Sequence, residues 1–154
     1  MAILGYILPL VVVVIFFTIT YFVAEAKKNY GYIDIVWGAS FVVNAWFALL
    51  ISSLVNNAWP SVPAIVVTVA VTIWGMRLSS YLFKRNWNKP EDYRYVTMRN
   101  NLVGKKYPRL TAFLKIFMSQ AGLSILVSTV LIVTINGVVL ANDWFVYSFT
   151  IAGG

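Results

Sequence analysis

Neither cysteine nor histidine occurs in this chain of 154 residues, and only five side chains are acidic: Glu25, Asp34, Glu91, Asp92 and Asp143. Without cysteine there is no disulfide, no thiolate nucleophile and no cysteine-ligated zinc. Without histidine there is no Ser-His-Asp or Cys-His relay and no imidazole base, and a metal site is not expected. Proton chemistry is left to tyrosine, lysine or one of the five carboxyl groups. Glycine-rich phosphate loops are also missing, since neither G-x-G-x-x-G nor a Walker-type stretch occurs, and that excludes a soluble-type dinucleotide fold. Charge is scarce altogether, with 11% charged residues against 60% hydrophobic. A soluble domain carries about 25% charged residues, so this is a membrane composition.

What is abundant is long apolar runs. Crossing the hydrocarbon core takes about 20 mostly apolar residues, and four stretches qualify, roughly 3–23, 35–55, 62–83 and 117–140. A fifth, 144–154, holds eleven residues, which as helix reach only about 16 Å, half of the core. The expectation is one all-α transmembrane domain over 1–154, a polytopic helix bundle with four full spans and an incomplete fifth. Ala24-Glu25-Ala26 resembles a signal cleavage site, but no Lys or Arg precedes the apolar run and the run exceeds a signal core, so the first segment reads as a retained helix.

The net charge is +7, and its placement explains it. Lys27 and Lys28 follow the first span, and nine basic residues lie within 84–116, whereas 56–61 has no charge and 141–143 only Asp143. This positive-inside pattern puts both basic segments in the cytoplasm and the N-terminus outside, in a multi-pass membrane protein. Orientation accounts for nearly every base, so nucleic acid is not an expected partner and the lipid bilayer is.

Within this frame a few polar residues stand out. Asp34 suits the first turn of the second helix, as cap or dipole anion. Gly38, Phe41, Ala45, Ala48 and Ser52 recur at helical spacing as a face of mostly small residues for close packing. Asn44 falls near mid-membrane, where an amide needs an interhelical partner. Pro90 and Pro108 interrupt helices, and Glu91–Leu102 is expected as a short helix with Tyr95, Met98 and Leu102 on one face.

Arg77 lies inside the third span, about 10 Å short of Lys84. Trp74, Tyr81 and Lys84/Arg85 share its face. Two readings stay open: a snorkelling arginine paired with Asp34, or an anion pocket in which Arg77, Arg85 and Arg94 hold phosphates. Glu91 and Asp92 either neutralise neighbouring bases and cap a helix after Pro90, or accept ribose hydroxyls or a phosphate-bound metal.

Asp34-Ile35-Val36-Trp37-Gly38, Trp74-Gly75-Met76-Arg77-Leu78 with Tyr81, Arg85 and Asn86-Trp87, Glu91-Asp92-Tyr93-Arg94-Tyr95 and the entry Phe117 to Gln120, in this order, resemble the N-terminal part of bacterial membrane proteins of the steroid 5-alpha-reductase-like superfamily, in its branch of unknown function. The resemblance implies a reductase that binds NADPH from the cytoplasmic side and reduces a carbon–carbon double bond of a lipid-like substrate. It implies Arg77, Tyr81, Arg85, Asp92, Arg94 and Tyr95 as cofactor-binding positions, with Asp34, Trp37 and Asn44 at the substrate or in support. No catalytic residue is named by it. Family members carry an Arg-His-Pro-x-Tyr type motif in further C-terminal helices, which a chain without histidine does not contain. The expectation is therefore a fragment, a split gene product completed by a second chain, or a shortened relative inactive alone. The competing expectation, from a different class, is a non-catalytic membrane protein whose basic loop binds anionic lipid headgroups.

Overall fold

The computed structural model describes residues 3–86 and 89–140; the expected partial span at 144–154 lies outside them. The described residues form helices and their connections: α1 (Leu4–Lys27), α2 (Tyr32–Asn56), α3 (Val62–Asn86), α4 (Tyr93–Asn100), α5 (Pro108–Ala112), a π-helical turn (Phe113–Met118) and α6 (Ser119–Leu140). α5, the π turn and α6 are continuous, so four helical rods are long and apolar enough to cross a membrane. The protein is a polytopic all-α bundle, as its hydropathy dictates.

The rods are longer than the apolar runs. α1 continues through Ala24-Glu25-Ala26 to Lys27 and stops at Lys28, whose backbone is left-handed (φ 52°) and whose N–H is given to the carbonyls of Ala24 and Glu25. The last rod opens at Pro108, whose fixed φ and missing N–H suit a first helical turn.

α2 is the central element. Its face of Gly38, Phe41, Ala45, Ala48 and Ser52 is buried, with α1, α3 and α6 packed around it. At the crossing with α3, Gly38 and Gly75 meet backbone to backbone. A methyl group on Gly38 would stand 2.5 Å from the Gly75 carbonyl oxygen, and one on Gly75 2.6 Å from that of Gly38. Phe41 stacks edge-on against Trp74, and the Ser79 hydroxyl accepts the Ala39 N–H at 2.9 Å.

Two cores result. One gathers Val13, Phe17, Tyr21, Tyr30, Ile33, Tyr95, Leu102, Ile116 and Phe117 at the basic end. The other gathers Ala45, Ala48, Leu49, Ala64, Ile132 and Ile135 toward the far end. α3 contributes only Ala64, Thr68 and Gly75 as buried residues, so its basic half leans on α2 and is otherwise peripheral.

Between the parallel helices α2 and α6 runs a polar seam. The Ser40 and Ser124 hydroxyls are 3.1 Å apart. One turn further, Asn44 and Ser128 stand at the same level, both fully buried. The interhelical partner expected for Asn44 is missing: neither its amide nitrogen nor its oxygen bonds to a described residue, and the Ser128 hydroxyl is unpaired too. The Asn136 amide, by contrast, donates to the carbonyls of Gly5 and Ile132 at 3.3 and 2.9 Å.

Candidate functional site

Ionic chemistry concentrates at the basic end, where the segment from Lys89 to Leu102 folds back over the α1–α2 connection. Pro90 keeps this segment from continuing α3, and Asp92 starts α4: its carboxylate accepts the Arg94 N–H at 2.9 Å. The same carboxylate takes the Arg94 guanidinium at 3.0 and 3.1 Å. Arg94 hydrogen-bonding, with Arg85 acting from further off, holds the Asp92 carboxyl below the usual range, and Asp92 in turn raises the Arg94 guanidinium.

Arg94 also reaches Asp34 at 3.3 Å, and Asp34 accepts the Tyr95 hydroxyl at 2.6 Å. Tyr95 is buried; burial first, then its bond to Asp34, raises its phenol above the ordinary value. Asp34 therefore anchors α4 onto the first turn of α2. It is held by Arg94 and Tyr95 and not by Arg77.

A second cluster lies beside the first. Glu91 accepts the Tyr30 backbone N–H at 2.6 Å and pairs with Arg99 at 2.8 Å, and the Arg99 guanidinium sits 4.5 Å above the Tyr30 ring. The Tyr30 hydroxyl donates to Glu25, whose other oxygen lies 3.9 Å from Arg109. Burial, then this bond to Glu25, raises the Tyr30 phenol. The adjacent acidic pair thus divides its work: Asp92 caps, Glu91 neutralises a base.

Next to these clusters opens a cavity of about 450 Å³, walled by Lys27, Asn29, Gly31, Tyr32, Asn86, Lys89 and Asp92 among others. Its floor is the α1–α2 turn, where the Asn29 side chain accepts the Gly31 N–H at 2.9 Å. The wall offers two ammonium groups, two amides and one carboxylate. That set suits an anion bearing hydroxyl groups: the lysines face phosphate charge, and Asp92 accepts from a hydroxyl.

The residues singled out in the sequence do not all come together. Asp34, Asp92, Arg94 and Tyr95 are brought together, and of these Asp92 lines the cavity. Arg85 bonds the Asn86 side chain at 3.1 Å and acts electrostatically on Asp92. Arg77 and Tyr81 are exposed on α3, on the side away from α2, with no hydrogen bond or ion pair to a described residue. Trp37 stacks between Phe17 and Phe41 in the core, and Asn44 lies in the α2–α6 seam. Of the expected face of Tyr95, Met98 and Leu102, Tyr95 and Leu102 are buried while Met98 is exposed, because α4 packs only a narrow edge on the bundle.

Sequence reasoning missed Lys27, Asn29 and Lys89 as cavity residues and Glu25, Tyr30 and Arg99 as a cluster. Asn29-Tyr30-Gly31 is a turn signal, and it marked the place where the loop would be fixed. The group with which Lys27 and Lys89 converge was not visible in a linear pattern.

Among known proteins, a family model described as "Protein of unknown function (DUF1295)" matches residues 20–153. No curated protein and no solved structure matches.

Proposed function

The chain belongs to the family of unknown function DUF1295, and we propose that it forms the cofactor-side part of a membrane reductase acting on a carbon–carbon double bond of a lipid-like substrate. NADPH is the proposed cofactor, taken from the cytoplasm at the basic end, with a second chain supplying the histidine-bearing helices. The motif resemblance to steroid 5-alpha-reductase-like membrane proteins supports this reading. The observation that carries it is the cavity bounded by Lys27, Lys89, Asn29, Asn86 and Asp92 at the mouth of the bundle.

The fit to the cofactor is partial and specific. About 450 Å³ lies at the lower end of ligand-site volumes of about 300–1,000 Å³, room for a phosphate–ribose portion. Lys27 and Lys89 would meet phosphate oxygens, and Asp92 a ribose hydroxyl. Asp34, Arg94 and Tyr95 would act behind this wall by fixing α4 and with it the Asp92 carboxylate. When bound, NADPH supplies a hydride. The described residues supply binding and orientation, and none of them is assigned as the proton donor.

Titrating NADPH into the intact chain in lipid nanodiscs, followed by nicotinamide fluorescence, tests the proposal. Saturable binding is expected. Lys27→Gln and Lys89→Gln should each weaken it about tenfold, the loss of one charge-assisted hydrogen bond of about 1.5 kcal/mol. Absence of saturation, or affinity indifferent to both lysines, overturns the cofactor reading and leaves the non-catalytic, headgroup-binding protein in its place.

A further inference from the structure

α3 carries the one basic residue that lies within an apolar span. At about 100° per residue, Trp74, Arg77, Tyr81 and Lys84 fall within one arc of about 80° on this helix, with Arg77, Tyr81 and Lys84 turned away from Gly75 and Trp74 at the edge, one side of its ring on Phe41 of α2. All four are exposed, Trp74 by 48% and Tyr81 by 62%. Arg77 and Lys84 make no ion pair or hydrogen bond with a described residue. Toward the far end the same side of the helix continues as exposed Ile73 and Val66.

This pattern has a chemistry. A guanidinium facing hydrocarbon must draw an anion or water to it. Seven residues separate Arg77 from Lys84, about 10 Å along the axis, a gap within the joint reach of the two long side chains when the Arg77 guanidinium snorkels toward the headgroups. Two long cationic side chains, one of them snorkelling, can thus reach a single phosphate at the membrane boundary. The two rings at its sides are of the kind that settles at headgroup level, and the apolar stripe beyond it has the direction of an acyl chain.

We propose that this stripe of α3 is a binding site for one anionic phospholipid of the leaflet at the basic end, its phosphate held between Arg77 and Lys84 and a chain lying along Ile73 and Val66. Charge complementarity selects the occupant: a zwitterionic lipid brings its own cation to the same place, and a purely apolar helix leaves Arg77 unanswered. The site is separate from the cavity at Lys27 and Lys89 and does not depend on it.

The test uses the intact chain in phosphatidylcholine vesicles containing a small fraction of either phosphatidylglycerol or phosphatidylcholine with brominated chains. The emission of Trp74 is the difference between wild type and Trp74→Phe. Brominated phosphatidylglycerol should quench it at a concentration about fivefold lower per engaged base than the brominated zwitterionic lipid. Arg77→Gln and Lys84→Gln should each remove one such step. Equal quenching of the wild type by the two lipids overturns the proposal, and so does a preference that survives both substitutions. Protection of Trp74 from both lipids also overturns it, in favour of a protein helix covering this face. The lipid comparison on the wild type needs no variant to fold.

Discussion

Asn44 is the residue where sequence and structure diverge most sharply. An amide at mid-membrane calls for an interhelical hydrogen bond, yet both of its polar atoms are buried and unpaired. Its level in the seam is shared by Ser128, equally unpaired, while the pair one turn away, Ser40 and Ser124, is made. Replacing an unsatisfied buried amide by an apolar group of similar shape removes a penalty of about 1–3 kcal/mol. Asn44→Leu is therefore expected to raise the thermal unfolding midpoint of the detergent-solubilised protein, whereas Asn136→Leu, which deletes bonds to Gly5 and Ile132, should lower it. A fall for Asn44→Leu would show that the amide is paired after all. At this scale the sequence was legible for residues whose partners lie nearby, such as Asp92 capping α4 two residues away. It was not legible for Asp34, whose partners Arg94 and Tyr95 are 60 and 61 positions on.

At the scale of elements, the α2–α3 crossing rests on two glycines without room for a side chain. In an open helix Gly→Ala gains up to about 1 kcal/mol, but at Gly38 or Gly75 the added carbon meets carbonyl oxygen, and the helices must separate. Overpacking of this kind costs about 1–3 kcal/mol or more. Gly38→Ala and Gly75→Ala should destabilise the protein, and Gly122→Ala, where nothing lies within 4 Å, should stabilise it slightly. Thermal melts of the three variants check this ordering, and a stabilising Gly38→Ala would contradict the close crossing. The spans themselves were readable because hydrocarbon thickness sets helix length. Their ends were not, because α1 and α2 run on past their last apolar residues until a left-handed residue stops them, Lys28 for α1 and Asn57 for α2. Nothing in Phe113–Met118 announced the π turn, since every residue there is compatible with an ordinary helix.

The whole molecule is polarised: its bases gather at one end, and so do its ionic clusters. The positive-inside rule then predicts that a Cys placed at Ala58, in the α2–α3 connection, reacts with a membrane-impermeant maleimide from outside intact cells, while a Cys at Lys105 reacts only after permeabilisation. The reverse labelling would invert the orientation and move the candidate cavity to the other side of the membrane. Hydropathy sufficed to read the four spans. It did not show that α2 is the central helix or that α3 is the least covered, because burial inside a bundle and exposure to lipid select the same apolar side chains.

The bond from Glu91 to the Tyr30 backbone N–H bears on how such a chain comes together. α1 and α2 are adjacent in sequence and joined by a turn, so they can pair as soon as both are inserted. The amide in their turn, however, is satisfied by a carboxylate 61 residues later, which arrives only after α3 has crossed and the chain has returned to the basic side. Assembly is thus ordered in time: an early hairpin whose turn stays open to solvent, and a late closure when α4 docks and Glu91, Arg99 and Tyr30 engage together. Protection of that single amide against solvent exchange would mark the moment at which the basic end is complete.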